Sequence, residues 1–168
     1  MALMLILKEV EQSGLSVWLR ESDSFFAFWF VLALHAIGMS LLVGASVVID
    51  LRLLGMAPDL PLAPLKKFYG FIWFGFWIQV ISGVLLLIAY PTKSFTNPDF
   101  YLKMVLIALG VGVMQMLRNR VFTDPGLNET VMMAKGRVFA ILSIILWVGA
   151  VTAGRLLAYT YSVLTAQG

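Results

Sequence analysis

Four long apolar runs, separated by short polar connections, dominate the pattern along the chain. Residues 24–49 contain no Asp, Glu, Lys or Arg, and neither do residues 68–90. A third run covers about 100–117, with Lys103 in its first turn. A fourth covers about 138–161, with Arg155 in its last third. Crossing hydrocarbon takes roughly 20 mainly apolar residues. Inside lipid each backbone N–H and C=O must be satisfied within its own segment, so runs of this kind predict helices.

The polar connections punctuate these helices. Ser22, Asp23 and Ser24 offer caps for the first span. Asn97, Pro98 and Asp99 give the third span a cap, an N1 proline and a first-turn acid. Pro58, Pro61 and Pro64 break the first connection, and Asp124-Pro125-Gly126 breaks the third. Residues 1–22 predict an interfacial helix. Leu3, Leu7, Val10 and Val17 approximate one apolar face, with Trp18 at headgroup level, although Gly14 and Ser16 interrupt it. Met1 to Leu7 is short and no positive charge precedes it, which does not read as a cleaved signal peptide.

Composition changes this picture little. The chain of 168 residues is 61% hydrophobic and only 12% charged, against about 25% charged in a soluble domain. The expectation is one all-α membrane domain, residues 1–168, forming an integral four-helix bundle. A net charge of +3, scattered between the runs, supports no nucleic-acid partner. With no cysteine, disulfides and thiolate metal sites are excluded. Arg52, Lys66, Lys67, Arg118, Arg120, Lys135 and Arg137 follow spans one and three, while Lys8, Arg20, Lys93, Lys103 and Arg155 belong to the other side. By the positive-inside rule both termini face outward, to the periplasm of a bacterial inner membrane. Small residues four apart predict close helix contacts: Ala150 with Gly154, Gly149 with Ala153, and Ala108 with Gly112.

Few residues carry chemistry. His35 is the single histidine, roughly ten residues into the first span and therefore about 15 Å deep, near mid-bilayer. An ionisable group there is a candidate for function, set against a neutral ring hydrogen-bonded between helices. Imidazole ligates iron or copper, or bonds a quinone oxygen. Met39, one turn along the same face, adds a soft thioether that suits copper(I) with His35. Gln79 falls at the height of His35, on a small and polar strip with Gly75, Ser82 and Gly83, and His35 is its natural partner. Lys103 and Arg155 share the outer layer. They either clamp an anionic group such as a haem propionate or snorkel to the headgroups, Lys103 pairing with Asp99. Trp73 and Trp77 share a face turned away from Gln79. Asp50 and Arg52 read as a structural pair at the inner interface. The pattern Asn128-Glu129-Thr130 falls in a connection expected on the cytoplasmic side and is discarded as a glycosylation site. No phosphate-binding loop, dinucleotide fingerprint, zinc-protease pattern or catalytic triad spacing is present, so no enzyme class is assigned.

Several motifs carry a resemblance. Leu34-His35-Ala36-Ile37-Gly38, Leu42-Val43-Gly44 and Asp50-Leu51-Arg52-Leu53-Leu54-Gly55 are joined by Asn97-Pro98-Asp99-Phe100-Tyr101-Leu102-Lys103 and Gly154-Arg155-Leu156-Leu157-Ala158-Tyr159. Together they resemble a family of small bacterial four-span membrane proteins of unassigned activity. More distantly the layout is similar to the copper-resistance protein D superfamily, which includes the membrane protoporphyrinogen oxidase. His35 and Lys103 match that group's early-span histidine and later lysine. The resemblance implies haem b binding with tetrapyrrole or quinone redox chemistry, or copper handling with a periplasmic partner. The chain departs from both in having no second histidine and no His- or Met-rich loop.

The leading expectation is therefore a b-haem or quinone redox site in the outer half of the bundle, held by His35, Gln79, Lys103 and Arg155. The alternatives are copper transport or delivery through His35 and Met39, and a non-catalytic subunit of a larger membrane complex or a homo-oligomer.

Overall fold

The computed structural model describes residues 2–123 and 126–166, with side chains for 4–123, 126–157, 159 and 160. Seven α-helices account for most of the chain, and no strand occurs among the described residues. They are α1 (Ala2–Glu11), α2 (Gly14–Glu21), α3 (Phe28–Leu53), α4 (Phe68–Ala89), α5 (Pro91–Phe95), α6 (Pro98–Val121) and α7 (Glu129–Ala166). Four are long and apolar enough to cross a bilayer: α3, α4 with the 3-10 turn before it, α6, and α7 as far as Leu157. The protein is an all-α, multi-pass membrane bundle. Its outside is apolar, as lipid contact requires: Trp29, Phe74, Trp77, Val105 and Ile145 all stand exposed. We call outer the end holding the start of α3 and the end of α4, and inner the opposite end.

Local chemistry sets the ends. Asn97 Oδ1 accepts the Asp99 N–H at 2.9 Å and Pro98 occupies N1, as the sequence predicts for α6. The first span begins later than its serines suggest. Ser24 Oγ accepts the Phe26 N–H at 3.3 Å in a turn, and α3 starts at Phe28 with no side-chain cap. α7 begins at Glu129, well before its apolar run, after Asn128 caps the Val131 N–H at 3.0 Å. The predicted break at Asp124-Pro125 lies outside the described residues, as does the side chain of Leu3.

The amino-terminal segment forms two helices rather than one. Ser13 caps α2, accepting the Ser16 N–H at 3.4 Å. Ser16 is buried and its hydroxyl reaches the Ala89 carbonyl at 3.3 Å. Glu11 bonds Arg20 at 3.2 Å and Thr92 at 2.5 Å, tying α1 and α2 to the outer end of α4 and to α5. A polar contact to the bundle explains why this segment departs from a simple amphipathic stripe.

The spans pack as two antiparallel hairpins, α3 with α4 and α6 with α7, joined through α3 and α7. α3 and α4 cross closely at Gly38 and Gly75. A Cβ on Gly75 would lie 2.7 Å from the Leu42 backbone nitrogen, and one on Gly38 would lie 2.9 Å from that of Gln79. In α7, Gly149 meets Leu106 of α6 and Gly136 meets Leu53 of α3. Ala150 and Ala153 are buried, in keeping with small residues at close contacts. The Ala108 and Gly112 strip is different: Ala108 is exposed and Gly112 meets nothing within 4 Å.

The main core lies in the inner half and gathers all four spans, with Ile49, Leu53, Ile72, Leu117, Val121 and Trp147 fully buried. At the outer end, among the described residues, a smaller cluster of Leu19, Val31 and Ala89 forms, on α2, α3 and α4. The two hairpins therefore meet below and part above, leaving a wedge. Arg52 belongs to the inner closure, with a partner other than Asp50. Its guanidinium bonds Glu129 at 3.0 Å and the Leu60 and Pro58 carbonyls at 2.5 and 3.2 Å. Glu129 also accepts the Leu62 N–H at 2.8 Å. Arg52 and Asp50 are two positions apart on a helix and so cannot face each other.

Candidate functional site

The wedge encloses a cavity of about 400 Å³ in the outer half, within the usual range of small-molecule sites. Every spanning helix contributes to it. Phe28, Phe76 and Phe100 supply aromatic wall, and His35, Gln79 and Lys103 supply the deep polar groups. α5 runs from α4 to α6 across the outer end and adds Lys93 and Ser94 to the wall.

His35 is held at both ring nitrogens. Nδ1 lies 3.0 Å from Ser82 Oγ, and Nε2 lies 2.9 Å from Gln79 Nε2. The arrangement selects a tautomer. Ser82 spends its one hydrogen on the Ile78 carbonyl, 2.5 Å away. Its oxygen must then accept, so His35 Nδ1 carries the proton. Nε2 is left as an acceptor and takes a hydrogen from the Gln79 amide. The ring is neutral and fixed between α3 and α4, in a space opened by Gly83, where a Cβ would come within 3.3 Å of it. Gln79 Oε1 is buried and has no hydrogen-bond partner among the described residues.

Lys103 enters this space from α6. Among the described residues it makes no ion pair. Asp99, its expected partner, accepts instead from Thr160 at 3.0 Å. The Lys103 chain lies along Gly154 of α7, which has no side chain to block it. Snorkelling toward Asp99 is thus replaced by a half-buried side chain turned into the wedge.

Two expected members fall elsewhere. Arg155 is exposed and does not border the cavity, so it cannot form a clamp with Lys103 there. Successive helix residues point about 100° apart, and Gly154 is the one that faces inward. Met39 borders a separate cavity of about 20 Å³, with Gln79, Lys103 and Trp147, and His35 does not border it. His35 and Met39 therefore do not open on one space. No group of three His, Asp or Glu side chains suited to a metal occurs among the described residues.

Sequence reasoning missed three contributors. Ser82 was placed on the correct strip without its bond to His35. Phe76 carries no signal in the sequence that separates it from the other aromatic residues of α4, and Trp77, turned away from Gln79 as expected, is exposed. Phe100, next to the cap of α6, was read only as part of a motif.

Comparison with family models, curated proteins and solved structures finds no match for this chain. The resemblance drawn from its motifs rests on those motifs alone.

Proposed function

We propose that the protein binds a lipid-soluble ring compound with carbonyl oxygens, of the quinone class, in the outer wedge. The observation that carries this reading is a neutral, doubly anchored His35–Gln79 pair beside Lys103, which makes no ion pair among the described residues, in the deep part of a mostly apolar cavity. The aromatic walls accept a flat ring. The Lys103 ammonium donates to a ring oxygen, and a charged donor in low dielectric makes a strong hydrogen bond. His35, locked by Ser82, holds the Gln79 amide at the floor.

The same bonds weigh against haem and copper. Axial ligation of haem needs an imidazole lone pair, and Gln79 already takes the one on Nε2. A copper(I) ion at His35 would meet the same obstacle. In this reading the protein lies in a bacterial inner membrane with both termini outward. The support is the excess of basic residues on the connections after spans one and three.

The test is a visible spectrum and a solvent extract of the protein purified in mild detergent. The expected result is no Soret band, with an extractable quinone that Lys103→Met depletes. A Soret band that His35→Ala abolishes would overturn the reading in favour of haem.

A further inference from the structure

Resting on that reading, we infer that the ligand enters sideways from the bilayer between α4 and α6, and that it carries one long hydrocarbon tail which stays in that gap. Three observations lead there. First, α3 packs on α4, α6 on α7 and α3 on α7, while α4 and α6 scarcely approach each other. The cavity nonetheless takes wall from both α4 and α6, so it reaches the fourth, open side of the bundle.

Second, the side chains at that side face two ways. Val84 of α4 and Met104 of α6 border the cavity and are each 50% exposed, and beside them Ile81 and Val105, which do not border it, are exposed too. Residues that touch both cavity and lipid mark an opening and not a closed wall. Met104 follows Lys103 directly, so the opening lies at the depth of the ammonium. A ring anchored on Lys103 has its far edge at the gap.

Third, a short helix crosses the water-facing end. α5 joins α4 to α6 directly across the outer end, and α1 is tied to it through Glu11 and Thr92. The α4 contribution to the cavity rim is hydrocarbon: Val80, Val84 and Leu87 carry no hydrogen-bonding group. The part of the ligand that lies there must be apolar. These features define the ligand as amphipathic, with a small polar ring and a tail of prenyl or acyl type, which reaches the site by lateral diffusion.

Absence of native cysteine makes a direct test practical. Val84→Cys and Met104→Cys are introduced together, and the gap is bridged with a cleavable bis-maleimide. Binding of a tail-less naphthoquinone and of its prenylated counterpart is measured before bridging, after bridging and after cleavage. Each buried tail methylene contributes about 0.8 kcal/mol, so losing two of them costs about tenfold in affinity. The inference expects bridging to weaken the prenylated compound by about tenfold or more, to leave the tail-less compound within about twofold at equilibrium, and to be reversed by cleavage. Equal affinity of the prenylated compound in all three states overturns it. So does cross-linking between two chains, which would mean that a second copy covers the gap. If the tail-less compound fails to bind the unmodified protein, the binding reading itself falls. If it binds while bridging changes nothing, only the lateral route falls.

Discussion

Gly75→Ala offers a worked prediction, because Gly75 sits one turn from Gln79 at the closest crossing of the bundle. A Cβ there would lie 2.7 Å from both the Leu41 Cβ and the Leu42 backbone nitrogen. Neither neighbour is the free end of a flexible side chain, so the helices themselves must separate. Reaching an ordinary contact of 3.4 Å requires a retreat of about 0.7 Å. Applied to the neighbouring turn, that retreat stretches the 2.9 Å Gln79–His35 bond to about 3.6 Å, beyond hydrogen-bonding range. Overpacking of this kind costs about 1–3 kcal/mol. Losing the bond adds about 1 kcal/mol, because both groups are shielded from water. The assay is thermal unfolding in detergent together with quinone titration. A melting point lowered by several degrees and an affinity weakened at least tenfold are expected, since about 1.4 kcal/mol corresponds to that factor. A variant that melts and binds as the parent does would refute the claim that this crossing sets the His35 site.

Three other substitutions separate parts of the account. Ser82→Ala removes the acceptor for His35 Nδ1–H and is expected to cost about 1–3 kcal/mol, with weakened quinone binding; a neutral effect on both would show that Ser82 does not fix the ring. Arg52→Ala strips donors from the Leu60 and Pro58 carbonyls and frees Glu129, so the 54–62 connection should be cleaved faster by added protease, with quinone affinity within about twofold. Arg155→Gln should leave both stability and quinone affinity within measurement error, because the side chain faces outward; a clear loss of binding would return Arg155 to the site.

Much of the architecture is written in the apolar runs. Four mainly apolar stretches, two of them without any charge, have to be helices in lipid, and the Asn97-Pro98-Asp99 signature places the start of α6 where it lies. Pairing of His35 with Gln79 is legible too, because height along a span and a polar strip of small residues both follow from helical geometry. What sequence periodicity does not carry is the relation between hairpins. Whether α6 leans toward or away from α4 depends on how the inner core and the α3–α7 contact tilt the two pairs. The wedge, and the turn of Lys103 into it, follow from that tilt. Arg155 illustrates the limit at a single residue: depth alone matched it to Lys103, while rotation about the helix turned it out. Likewise α7 reaches back to Glu129 through a polar stretch, because a helix continues past the lipid when Arg52 and the 54–62 connection give its first turn a partner.

The most direct measurement uses the fact that the chain holds one histidine. Protein labelled with 15N at the imidazole gives a single pair of ring signals, which report the site without ambiguity. In lipid nanodiscs the account predicts a neutral ring protonated at Nδ1, with Nε2 accepting a hydrogen bond, and a saturable shift of the Nε2 signal on addition of a prenylated quinone that Lys103→Met weakens. An Nε2-protonated or freely solvent-exchanging ring, unmoved by any quinone, would contradict it.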